Sequence, residues 1–289
     1  MYDSQLTKEL LKSYYLSSSG KTYQVELNMV PTAPGALPIE FGLQEARKIL
    51  PRHQRPVASN KIRQNSRGEV FTPAWMVNHQ NNLLEPEGVV SLFNRESLEK
   101  KSWTATEEPI AFGNGYTFED YVDGRVLEIT CGEAPYLASS YDVATGKPIP
   151  LRDFRGCLQR VGLFDRKMRV VSENSQDRNW IELSLKALES VYGYEWQGDN
   201  LFLARMNLLA SYEEYYTDRW TAIPNRELLM TAAKIISWRL IQMDGLKFVS
   251  PMSCSKKCQA CSAKKPTGHD GNKPLVKIPK IVTLEELYG

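Results

Sequence analysis

The chain lacks the glycine-rich loops that cradle phosphates: neither GxGxxG nor GxxxxGK followed by Ser or Thr occurs in its 289 residues. No uninterrupted apolar stretch reaches membrane-spanning length. The opening MYDSQLTKELLK has no apolar core of the signal-peptide kind. Histidine is scarce, and His53, His79 and His269 lie too far apart in sequence to suggest a catalytic triad. Five cysteines, an odd number, argue against a disulfide framework and for a reducing compartment. These absences predict a soluble, cytoplasmic protein with no membrane partner. What is present, 42% hydrophobic and 24% charged residues, suffices for a substantial core.

Net charge is only +2, yet it is unevenly spread. From Pro51 to Gly68 come Arg52, Arg55, Lys61, Arg63 and Arg67 with no acid. Lys147, Arg152, Arg155, Arg160, Arg166, Lys167 and Arg169 follow later against Asp153 and Asp165. From Cys254 onward seven lysines face three acids. Such runs fit either a track along a phosphate backbone, where counterion release favours binding, or an ordinary solvated surface.

Residues 1–60 read as a poorly regular extension. It has a short helical start, with Leu6, Leu10 and Leu11 at helical spacing, and LQEARKILPRHQRP reads as a helix stopped by Pro51. From Gly68 the chain becomes orderly. VFTPAWMVNHQNNLL places Pro73 at a first helical position behind Thr72 as N-cap. Residues 95–120 read as an irregular insertion. Val126–Ile129 is a short strand, and DRNWIELSLKALESVYG an amphipathic helix with Ile181, Leu185, Leu188 and Tyr192 on one face. That helix is expected to end at Gly193, with YEWQ as the next strand. GDNLFLARMNLLASYEEYY is expected to be capped by Asp199 and to bury Leu201, Ala204, Leu208 and Tyr212. A helix from Asn225 then passes into the strand RLIQMD. This alternation predicts a parallel α/β sheet.

Each expected strand end carries a carboxylate: Glu128, Glu195 and Asp244. Ligands of open α/β sheets sit at carboxyl strand ends. A ligand with an ammonium, a ribose diol and an adenine amine needs such acceptors, and Gly132 lets backbone approach it closely. Here VLEITCGEAPYL resembles motif I of amino-group DNA methyltransferases, with Glu133 and Ala134 where Ser-Gly is usual. YGYEWQGDNLFLARMNLL is similar to the motif II region of type I modification subunits, EVFTP (Glu69–Pro73) to motif X, and QMDGL (Gln242–Leu246) to motif III. The resemblance covers residues 68–248, and the whole chain resembles bacterial and phage proteins of the restriction endonuclease subunit M group. It implies an S-adenosylmethionine-dependent, adenine-N6 type fold: a Rossmann-type parallel sheet with helices on both faces over 61–250, behind the extension at 1–60. It implies that Phe71 and Thr72 contact the methionine end of the cofactor. Glu128 receives the ammonium, with Thr130 and Gly132 in the same loop. Glu195 holds the ribose hydroxyls, Trp196 packs on adenine or belongs to the core, and Asp244 binds the adenine amine. DNA and a specificity or restriction subunit are the implied partners.

The family's target-amine motif, an Asp, Asn or Ser before Pro-Pro and an aromatic residue, has no counterpart, since the chain contains no Pro-Pro pair. Ser250-Pro251-Met252, the nearest candidate, reads as a turn, the alternative being a degenerate catalytic loop. No Pro-Cys pair offers a cysteine nucleophile either. No catalytic residue is therefore assigned. Two readings stand: a DNA methyltransferase with an unusual or partner-supplied catalytic loop, and a non-catalytic subunit of the same fold that binds DNA or a partner. In the tail, 251–289, Cys254, Cys258, Cys261 and His269 fit a structural zinc site, the alternative being a flexible segment with exposed thiols.

Overall fold

The computed structural model describes residues 2–16, 22–29, 39–40 and 42–246. In chain order they form α1 (Ser4–Leu11), β1 (Lys12–Leu16), β2 (Thr22–Glu26), β3 (Asn28–Met29) and β4 (Ile39–Glu40). Next come α2 (Leu43–Ala46), α3 (Val57–Arg67), α4 (Ala74–Leu83), β5 (Asn94–Ser97), β6 (Ser102–Ala105) and α5 (Phe118–Asp123). The series ends with β7 (Val126–Ile129), α6 (Leu163–Asn174), α7 (Asp177–Glu189), β8 (Val191–Glu195), α8 (Gly198–Trp220), α9 (Arg226–Arg239) and β9 (Leu240–Gln242).

The fold is mixed α/β, built on a three-stranded parallel sheet in the order β7-β8-β9. Helices connect its strands, as parallel pairing requires. The expected strand YEWQ is instead Val191–Glu195, and α7 already ends at Glu189, so Gly193 lies inside β8. A side chain there would come within 2.9 Å of Cys131 Sγ and 3.2 Å of Leu240 Cγ. Glycine lets the loop after β7 pack across the middle of the sheet.

Helix α8 buries Leu201, Ala204, Leu208 and Tyr212, the expected stripe. Asp199 does not cap it; Gln197 holds the cap position and Asp199 binds Arg63 instead. In α7 the buried stripe is Trp180, Leu183, Ser184, Ala187 and Leu188, one step round from the expected face, and Ile181 stays exposed. Trp180 draws the face inward by packing against Tyr212, Tyr216 and Trp220. Asn225 caps α9 through Leu228 N–H at 2.9 Å, as expected. For α4 the cap position is Pro73 rather than Thr72, and the orphan Ala74 N–H donates to Asp142 Oδ2 at 3.0 Å.

Helix α1 belongs to the same core as α8 and α9: Leu6, Leu10 and Leu11 are buried there. The fully buried Arg205 donates to the carbonyls of Leu10, Lys12, Ser237 and Leu240, tying α1 to β9. LQEARKILPRHQRP is α-helical only over α2, and past Pro51 it forms a single 3-10 turn, Arg52–Gln54. Residues 95–120, expected to be irregular, contain most of the β5–β6 hairpin and the start of α5.

Helix α6 comes from the basic run 147–169, and its cations are not a surface track. Arg166 donates to Glu85, Asn78 and Asn82 and lies over the Phe93 ring. Arg169 donates to the carbonyls of Phe93, Thr106 and Glu108. Lys167 donates to those of Tyr121, Val122 and Gly124 at the end of α5. Buried backbone carbonyls of the β5–β6 region need donors, and this helix supplies them. Arg152 and Arg155 do remain near the surface, paired with Asp218 and with Asp153 and Glu107.

Candidate functional site

Parallel strands all end on one side, so β7 and β8 deliver Glu128–Gly132 and Glu195–Gln197 to a common place. There a cavity of about 630 Å³ opens, within the size range of small-molecule sites. Its lining contains Phe71, Thr72, Glu128, Thr130, Gly132, Glu195 and Trp196 together, and adds Glu69, Gln197 and Asn200. Tyr136 and Leu163 stand on the side of α6.

Glu195 joins the two strand ends. Its Oε2 accepts from Gly132 N–H and its Oε1 from Gln197 N–H, both at 2.8 Å. Burial pushes its carboxyl up to about 7, with the two amides acting in the opposite direction. Glu128 is pushed well above the usual carboxylate range, first by burial and further by the neighbouring Glu195, while the amides of Tyr136 and Leu137 oppose this. Its Oε2 has no hydrogen-bond partner among the described residues, nor has Gln197 Oε1. Gly132 has φ +55°, and a side chain there would meet Phe71 Cε1 at 3.4 Å. The glycine thus serves both a left-handed turn and the approach of Phe71.

Among the described residues no lysine, arginine or histidine lines the cavity, whereas three carboxylates do. They differ in compensation. Glu69 is paired to Arg63 at 2.6 Å and to Arg55 at 3.6 Å. Glu128 and Glu195 have no cation paired to them among the described residues. Two uncompensated buried acids in one concavity favour a ligand that brings positive charge and hydrogen-bond donors, and disfavour a phosphate.

Asp244 is not among the residues lining this cavity. Its Oδ1 accepts from Leu246 N–H at 3.0 Å, closing the turn after β9. Trp196, open between core and ligand wall in the sequence, is on the wall. Glu69, Gln197 and Asn200 escaped assignment although each stood inside a segment already singled out. Alternation and motif spacing locate a strand end, but only the fold shows which neighbours of that end share its cavity. Ser250-Pro251-Met252 and the set Cys254, Cys258, Cys261 and His269 lie outside the described residues. Among the described residues no cluster of His, Cys, Asp and Glu could hold a metal ion, and no helix is long and apolar enough to cross a membrane.

No protein-family model matches the chain. No curated protein matches it. No solved structure matches it.

Proposed function

We propose that the cavity binds S-adenosylmethionine and that the chain is a DNA methyltransferase-like protein of the adenine-N6 type, working in a restriction-modification or phage system. One observation carries this reading: Glu128 and Glu195, at adjacent parallel strand ends, share a cavity with no cation beside either among the described residues. A cofactor bearing an ammonium and a sulfonium, with ribose hydroxyls and an adenine amine, matches that deficit in charge and in donors. When bound, it supplies an electrophilic methyl group. Glu128 would hold the ammonium, with Gly132 making room, and Glu195 the ribose hydroxyls. Trp196 would offer a ring for adenine, and Phe71 and Thr72 would border the methionine end. With Asp244 outside the cavity wall, Gln197 takes the part of acceptor for the adenine amine, since its Oε1 has no partner among the described residues.

The absence of any Pro-Pro pair favours a second reading, in which the same cofactor-binding fold serves as a non-catalytic DNA- or partner-binding subunit. Calorimetry with S-adenosylmethionine, followed by transfer of labelled methyl to assorted duplexes, separates the cases. One cofactor per chain is expected, with Glu195→Gln weakening it by roughly 10- to 100-fold, as for loss of a hydrogen bond to a charged group. Cofactor binding without methyl incorporation selects the second reading. No binding heat and no competition by S-adenosylhomocysteine removes both.

A further inference from the structure

Between Arg47 and Pro73 the chain forms an arm in which no apolar side chain is buried. Val57 is 84% exposed and Ile62 62% on helix α3, and Val70 is 75% exposed. Yet this arm supplies a wall of the cavity through Ser66, Gly68, Glu69, Val70, Phe71 and Thr72. Apolar contact, which holds the other helices, is slight here: Ile49 packs partly buried against the core at the arm's start, and Phe71 is half-buried beside Gly132.

Polar contacts take over that role, and Arg63 has the largest share. Its Nε donates to Glu69 Oε2 at 2.7 Å and its Nη2 reaches Glu69 Oε1 at 2.6 Å. Its Nη1 donates to Asp199 Oδ2 at 2.7 Å, and Nη2 also reaches Asp199 Oδ1 at 3.2 Å and Asn200 Oδ1 at 3.1 Å. One planar guanidinium therefore grips two carboxylates, each through both oxygens, one on the arm and one at the start of α8. Only arginine has the fork for this. Asn200 Nδ2 closes the circuit by donating to Glu69 Oε1 at 3.1 Å. Arg63 is not itself a lining residue, whereas Glu69 and Asn200, which it holds from two sides, both are. Further along the arm, Arg52 N–H donates to Glu133 Oε1 at 2.7 Å, and the Arg52 guanidinium lies 5.0 Å from the centre of the Phe71 ring.

We infer that Arg63 is a positioning residue: it sets the width of the cavity by fastening the arm to the start of α8, and the arm is the wall that yields when a ligand enters. The inference rests on the proposed cofactor only for its choice of probe. It also explains Glu133, which stands where the resembling family has serine. Fully buried, Glu133 accepts from Arg52 N–H and, at 2.6 Å, from Tyr141 O–H, so it anchors the arm's near end to the loop after β7.

The test uses the full chain with Arg63→Lys, which keeps the charge and loses the fork, and S-adenosylhomocysteine as probe. Amide exchange over 57–72 is expected to speed up about tenfold or more while α7 and α9 stay unchanged. Probe affinity is expected to fall by a similar factor, about 1.4 kcal/mol. Asp199→Asn alone should weaken the probe as well, and the double variant should lose less than the product of the single losses, because both break one contact. Arm exchange and affinity each within about twofold of the parent would overturn the inference, as would exchange rising equally in α7 and α9, the signature of general destabilisation. If the parent chain fails to bind the probe, the cofactor reading falls, and the arm is still judged by exchange alone.

Discussion

Arg166 and Arg63 are both guanidiniums held by carboxylates and side-chain amides, in two parts of the molecule that are stabilised differently. Arg166 is fully buried on α6, against the Phe93 ring, in a region closed by Phe164, Met168, Val170 and Val171. Its bonds to Glu85, Asn78 and Asn82 supplement a packed core. Arg63 sits on an arm with no buried apolar side chain, and its bonds to Glu69 and Asp199 stand in for a core. The same chemistry thus serves the permanence of the fold in one place and the geometry of a cavity in the other. Where apolar burial is large, an arginine completes it; where it is slight, an arginine is the attachment.

The widest gap between the two regions is expected in stability. Arg166→Met should cost about 3–5 kcal/mol in denaturant unfolding, because Glu85 and two amides lose a buried partner. Arg63→Lys should cost far less. Equal losses in the two would erase the distinction. A second difference lies across the cavity, where the arm's Glu69 is compensated and the strand-end acids have no paired cation among the described residues. In the free protein Glu195 titrates at about 7, and a ligand that donates to its carboxylate favours the ionised form, so binding releases a proton. Affinity for S-adenosylmethionine should rise with pH through about 7, and Glu195→Gln should make that part of the profile less steep, leaving the contribution of Glu128, whose carboxyl is raised as well. A pH-independent affinity in the parent would separate Glu195 from the ligand. For folding the sign is opposite: the raised carboxyl adds stability below its ordinary range, and that contribution is lost as pH climbs through about 7. The smallest effect is expected at Arg152, whose pair with Asp218 is near the surface; Arg152→Ala should change stability by about 0–1 kcal/mol. A loss rivalling that of Arg166→Met would mean that the outer cations of this run are as structural as the inner ones.

Part of the architecture was legible in the residues. β7, α7, α8 and α9 follow from apolar spacing, and Asn225 reads as a cap because its short polar side chain suits one. The carboxylates at 128 and 195 read as neighbours because adjacent parallel strands end together, and the cavity does contain both. Helix α6 was not legible. Its Arg166, Lys167 and Arg169 look like surface in a linear pattern, and they are buried only because distant carbonyls need their protons. Asp244 illustrates the opposite case, a strand-end acid engaged by the amide two residues on rather than lining the cavity.

The sequence by itself determined the local elements and the acids at two strand ends, since apolar periodicity, capping and chain direction are properties of neighbouring residues. Tertiary structure decided which charges are compensated. Glu69 meets Arg63 across a turn and Asp199 meets it across 136 residues, while no cation pairs with Glu128 or Glu195 among the described residues. Compensation depends on distances of a few ångströms between segments far apart in the chain, and no linear pattern encodes those distances.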